Sequence, residues 1–125
     1  MNWNEYQNEA MRTSGNSTAW DFSLQTGEHP QDNARLAMSM VGMGVAGEAG
    51  EVCDYLKKVV HHGHPLDAEK LKKELGDVLW YVAVCAKLAG FDLDAVAKAN
   101  ILKLRQRYPS GFDSAASQNR VSGDS

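Results

Sequence analysis

Four carboxylates stand out for their spacing. Glu48 and Glu51 are three residues apart, as are Glu74 and Asp77. On a helix that interval puts two side chains on one side of the cylinder, with Cβ atoms about 5–6 Å apart. Seven residues after the first member of each pair comes a tyrosine, Tyr55 and then Tyr81. Between the pairs lies His62-Gly63-His64-Pro65, a break that folds the two helices into an antiparallel hairpin. Counted from Gly63, Glu51 lies twelve residues back and Glu74 eleven forward, so the inner acids are predicted at matching heights and the four carboxylates converge.

A single ExxE is most often a solvated helix face. Here Glu48 and Glu51 sit among glycine, alanine and valine rather than among lysines, and Glu74-Leu75-Gly76-Asp77 leads straight into an apolar run. An uncompensated carboxylate is costly in such surroundings. Converging oxygen ligands repel one another unless a hard cation sits between them, and all-oxygen ligation suits Mg²⁺ or Mn²⁺ rather than Zn²⁺. Glu48, Glu51, Glu74 and Asp77 are therefore the predicted metal ligands and catalytic residues. Asp54, three residues past Glu51, lies further round the helix and ranks behind them.

Helices must carry these groups. Trp3, Tyr6 and Ala10 form one stripe of a short first helix over Asn2 to Arg12, stopped by Thr13-Ser14-Gly15. The polar, turn-rich stretch Ser14 to Asn33 is, at this length in a small domain, either disordered or functional, and Trp20, Phe22 and His29 favour its partial ordering over a ligand, with packing against the bundle as the simpler alternative. Leu36, Met40, Met43, Ala46, Val52, Leu56 and Val59 recur at helical intervals from Ala34 to about His61. Asp67 resembles an N-cap, and Leu71, Leu75, Val78, Leu79, Val82 and Ala86 continue a third helix to Ala89-Gly90. Leu93, Val96, Ala97, Asn100, Ile101 and Leu104 give a fourth, ending near Tyr108-Pro109. No segment alternates in the strand manner, so the fold class is all-α, a four-helix bundle-like domain over residues 1–112 with a mobile tail over 113–125. Val78 to Ala86 is apolar almost all round, which predicts that a partner chain covers it and that the fold is completed by oligomerisation.

Composition narrows the classes. At 125 residues the chain suits one core, and 13 Lys plus Arg against 16 Asp plus Glu argues against a nucleic-acid binder. The most apolar stretch has nine residues, about half of a bilayer span, and the first residues form neither a basic nor an apolar leader region, so no membrane association is expected. Cys53 and Cys85 lack CxxC spacing and read as free thiols, with the cytoplasm as the expected setting.

Three tempting motifs fail on context. Gly42-Met43-Gly44-Val45-Ala46-Gly47 fits GxGxxG, but that motif works at a strand-to-helix turn and the residues before it read as helix. In a helix each of these glycines costs about 1 kcal/mol relative to Ala, so they predict close helix approach or room beside a side chain that reaches a ligand. His61, His62 and His64 lack a second ligand cluster for zinc and read as a hairpin connection. A di-iron bundle needs Glu-x-x-His pairs, and the third residue after each leading acid is Glu or Asp.

The blocks Gly47-Glu48-Ala49-Gly50-Glu51-Val52 and Lys73-Glu74-Leu75-Gly76-Asp77-Val78-Leu79-Trp80-Tyr81, with the inner acids 23 positions apart, resemble the ExxE…ExxD signature of the MazG-like all-α nucleoside triphosphate pyrophosphohydrolases. Asn100 to Pro109, ending Arg107-Tyr108-Pro109, is similar to the last helix of that family, and the likeness runs from about Ala34 to Phe112. It implies Mg²⁺-dependent hydrolysis of a nucleoside triphosphate to the monophosphate and pyrophosphate, in a homodimer or homotetramer. It also implies that Tyr81 lines a base pocket; on residue type alone, Trp80 and Tyr81 read as core, and Trp20 is a weaker base-stacking candidate. The chemistry agrees: a triphosphate brings about four negative charges, so metals must bridge acid to phosphate. Asn100, Lys103 and Arg107 share a helix face and are the predicted substrate-binding residues, against the alternative of a solvated basic helix end. Lys57, Lys58, Lys70, Lys72 and Lys73 read as surface charges, with Lys73 closest to the acids. The rival function is a helical dimer that binds nucleotide or a protein partner without turnover.

Overall fold

The computed structural model describes residues 1–14 and 30–119, with side chains from residue 36 onward in the second stretch. Five helices follow in order: α1 Trp3–Met11, α2 Pro30–His61, α3 Ala68–Leu88, α4 Leu93–Arg107 and α5 Ser114–Gln118. No strand occurs among the described residues, and the class is all-α as the periodicity predicts. The expected Ser14 to Asn33 connection, with Trp20 and His29, falls largely outside the described residues. The chain forms two compact units, Met1–Leu93 and a second from Asp94 onward.

Local chemistry explains each boundary. Asn2 caps α1 reciprocally: its side-chain oxygen accepts the Glu5 N–H at 2.9 Å, and its own N–H donates to the Glu5 carboxylate at 2.8 Å. The second helix begins at Pro30, four residues before the predicted start. Proline is tolerated there because the N–H it lacks is one the first turn leaves unpaired anyway. At the other end Gly63, at φ +73°, takes the chain out of α2. Asp67 caps α3, its carboxylate accepting from the N–H groups of Glu69 and Lys70 at 3.1 and 3.2 Å. That helix ends in a Schellman turn: Gly90 lies at φ +87°, Phe91 N–H donates to the Ala86 carbonyl at 2.8 Å, and Gly90 N–H donates to that of Lys87 at 3.1 Å.

In the first unit α3 packs against both α1 and α2. The core is built of small residues: Ala10, Ala37, Val41, Ala83, Val84 and Ala86 are buried with Tyr55 and Leu93. Small side chains let helix axes approach closely but bury little area each, so polar anchors matter. Gln7 is one, buried at 3% exposure. Its Nε2 donates to the carbonyls of Ala83 and Phe91, both at 3.1 Å, and its Oε1 accepts the Leu93 N–H at 3.0 Å. Trp80 is another, its indole N–H donating to Thr13 Oγ1 at 2.8 Å and the Ala10 carbonyl at 3.1 Å.

The apolar run Val78 to Ala86 differs from expectation in what covers it. Ala83, Val84 and Ala86 are buried within this one chain, and the rest of the run is half-buried. Large exposed apolar side chains lie elsewhere, among them Leu36, Met40 and Met43 on α2 and Leu75 on α3. In the second unit Ile101 and Leu102 of α4 are exposed too, and the segment expected as a tail contains α5, capped by Asp113.

Candidate metal centre

Two contacts fix how α2 lies along α3, and the acids fall between them. Toward the hairpin, buried Tyr55 places its hydroxyl on the backbone of Asp67, accepting the N–H at 2.7 Å and donating to the carbonyl at 3.3 Å. Away from it, the Tyr81 ring lies on Gly44, where a Cβ would fall inside the ring with even Cζ at 2.6 Å. Gly44 is therefore the glycine that permits close approach. Added Cβ atoms at Gly42, Gly47 and Gly50 meet nothing within 4 Å among the described residues.

Between these pins, Glu48 of α2 meets Glu74 and Asp77 of α3, each offering a carboxylate oxygen within 4.8 Å of the others. Glu48 and Glu74 are half-buried and Asp77 is exposed. Glu51 is not part of this set: one turn on, the helix carries it onto an exposed face. The predicted heights suit the hairpin, and the azimuth separates the members of the first pair. Glu51 still contributes charge. The Glu48 carboxyl is pushed above its ordinary value first by partial burial and then by the negative charges of Asp77, Glu74 and Glu51. A cation among these oxygens reverses that repulsion, and the donor set is all oxygen, so the residues fit a hard divalent ion.

The Tyr6 hydroxyl titrates above its usual range because of burial and the charge of Asp77. Neither Tyr6 nor Gln7 carried a signal in the sequence beyond a helical stripe, since their significance depends on contacts with residues some seventy to eighty positions away. Trp80 sits in the core against Tyr6 and Ala10, as its residue type predicts, and meets the Tyr81 ring edge-on at 4.9 Å between centroids. Asp54 is engaged by Lys57 and Lys58, both at 2.9 Å, which hold its carboxyl down at about 2. Lys73 and His61, His62 and His64 are exposed. Asn100, Lys103 and Arg107 lie along α4 in the second unit, Asn100 exposed and the other two half-buried, with the Arg107 guanidinium 5.9 Å from the centre of the Tyr108 ring.

The model of the MazG nucleotide pyrophosphohydrolase domain matches residues 39–112. The chain belongs to that family. The MazG match takes in both acidic blocks, all of α3 and the Arg107-Tyr108-Pro109 ending, and leaves α1 outside it. Gene 37 protein of Mycobacterium phage L5 is 36% identical over 87 residues, covering 66% of this chain and 76% of the phage protein. No solved structure matches at a significant level. No helix among the described residues is long and apolar enough to cross a membrane.

Proposed function

We propose that this MazG-family chain is a Mg²⁺-dependent nucleoside triphosphate pyrophosphohydrolase, cleaving the α–β phosphoanhydride of an NTP or dNTP. The observation that supports it most is the meeting of Glu48, Glu74 and Asp77 oxygens within 4.8 Å across α2 and α3. In this reading those three side chains hold Mg²⁺, with Mn²⁺ as an alternative. The bound ion supplies charge neutralisation between carboxylates and phosphates and polarises the phosphorus oxygens. Glu51, on the exposed side of the cluster, completes the ligand set or accepts a hydrogen bond from the attacking water through its carboxylate oxygen. As water adds to the α-phosphorus and gives its proton to the Glu51 carboxylate or to solvent, the bond to the bridging oxygen breaks and pyrophosphate leaves. Tyr81, fixed against Gly44 one turn beyond Asp77, forms a wall for the base. Asn100, Lys103 and Arg107 supply the polar face of α4 for phosphate and sugar.

The reading extends to assembly and setting. Exposed Leu36, Met40, Met43 and Leu75 support a homodimer or homotetramer, because a monomer would leave these apolar side chains in water. The free thiols of Cys53 and Cys85 suit the reducing cytoplasm. The test is pyrophosphate release from a panel of standard and modified nucleotides with Mg²⁺. Release that disappears in Glu48→Gln supports the proposal; folded protein that releases none across the panel refutes it, and calorimetric binding without turnover would point to a nucleotide-binding module.

A further inference from the structure

The charged stripe on α2 continues past Glu51. Asp54 accepts from Lys57 through Oδ1 and from Lys58 through Oδ2, each at 2.9 Å. Because the two pairs use different oxygens, either lysine can leave with Asp54 still neutralised. The Lys58 side chain is only slightly less exposed than that of Lys57, 44% against 53%. Helical side chains lean toward the N-terminus, so the Lys58 stem runs back along α2 toward the acids. Glu51 lies roughly 10 Å from it along the helix axis, and its negative charge already acts on the Lys58 ammonium.

A triphosphate carries about as much negative charge as the acidic cluster, so metal ions that neutralise one leave the other unbalanced. A cation on a rigid element, held ready at one edge of the cluster, meets that need without reorganisation. We propose that Lys58 is a phosphate-binding residue of this site: when a nucleoside triphosphate reaches the acids, the Lys58 ammonium passes from Asp54 to the β–γ end of the phosphate chain, and Lys57 keeps Asp54 paired. The assignment rests on the nucleotide reading above, and it replaces the view of Lys58 as a mere surface charge.

Inorganic pyrophosphate with Mn²⁺, titrated by calorimetry into the full-length wild type and into Lys58→Ala, Lys58→Arg and Lys57→Ala, tests it, alongside steady-state kinetics. Lys58→Ala is expected to weaken pyrophosphate binding and raise KM by roughly tenfold or more, as loss of a charge-assisted hydrogen bond implies, with kcat little changed. Lys58→Arg recovers most of the loss, Lys57→Ala behaves as wild type, and Mn²⁺ alone binds all four proteins alike. Unchanged binding in Lys58→Ala overturns the assignment, and so does an equal loss in Lys57→Ala, which would reveal a diffuse surface-charge effect. Should the wild type bind Mn²⁺ and pyrophosphate yet turn over no nucleotide, the hydrolase reading fails while the titration still decides on Lys58; a wild type that binds no pyrophosphate removes the Lys58 role as well.

Discussion

Replacing Gln7 is expected to be far more damaging than its place on a nine-residue terminal helix suggests. Its amide joins three backbone groups from the end of α3 and the start of α4. In Gln7→Ala the Ala83 carbonyl, inside α3, keeps its own helical partner, so two groups are left wanting: the Leu93 N–H, at the first residue of α4, and the Phe91 carbonyl. A buried polar group stripped of its partner costs about 1–3 kcal/mol. Allowing water to reach the Phe91 carbonyl, the sum is about 2–4 kcal/mol. For a unit of this size that lowers Tm by about 8–32 °C, at about 4–8 °C per kcal/mol. Gln7→Glu separates the hydrogen-bond argument from simple packing. It keeps the acceptor for Leu93 but turns a carboxylate oxygen toward two carbonyls that had a donor at 3.1 Å. The folded state therefore raises that carboxyl's pKa above its unfolded value of about 4.3. Such a group stabilises the fold below the unfolded pKa, and the benefit is lost as pH rises through the folded one. Melting curves from pH 3.5 to 8 should show Gln7→Glu falling away from wild type with increasing pH while Gln7→Ala runs parallel to it. A Gln7→Ala loss under about 1 kcal/mol, or a Gln7→Glu deficit independent of pH, would refute this account of the anchor.

Glu48→Gln should raise the metal-free melting temperature at neutral pH and abolish turnover, because the carboxyl's raised pKa means its charge destabilises the fold as pH climbs past that value; the gain should vanish near pH 4 in the same melts. Gly44→Ala gains about 1 kcal/mol of helix propensity and loses about 1–3 kcal/mol displacing Tyr81, so it should be no more stable than wild type and should lose kcat/KM, whereas Gly47→Ala, with open space at its Cβ, serves as the comparison. Asp54→Asn should lower Tm slightly at pH 7, with the gap to wild type closing as pH falls from 3.8 toward 2, since a carboxyl held at about 2 stabilises above its unfolded pKa and loses that effect through the folded one. Lys103→Ala and Arg107→Ala should reduce kcat/KM more than Tm; unchanged kcat/KM in both would leave the phosphates to Lys58 and the acids.

Helix periodicity made the architecture legible because α2, α3 and α4 each carry an apolar stripe and their ends carry local chemistry. Asp67, Gly63 and Gly90 announce those ends within a few residues, and the one boundary misread, at Pro30, is where proline is silent about direction. The acidic blocks were legible for the same reason, as short-range spacing on two helices joined by a short break. Azimuth was not: whether Glu51 turns inward with Glu48 or outward depends on which face α2 presents to α3, and that is set by the Tyr81 ring seating on Gly44. That α1 covers part of Val78 to Ala86 escaped for a related reason, since α1 docks through Gln7 and Trp80, whose partners are distant in sequence.

Asp67 serves two helices at once, its side chain closing the first turn of α3 and its backbone receiving Tyr55 from α2. The first turn of α3 and the docking of α2 therefore depend on one residue. The loop it closes spans only twelve residues, so its entropy cost is small and the pairing belongs to the local, fast class of contacts. As the chain leaves the ribosome, everything needed to set Glu48 opposite Glu74 and Asp77 has emerged once Tyr81 is free, before α4 has been made. The acids then meet early, and their mutual repulsion is a load that the rest of folding carries.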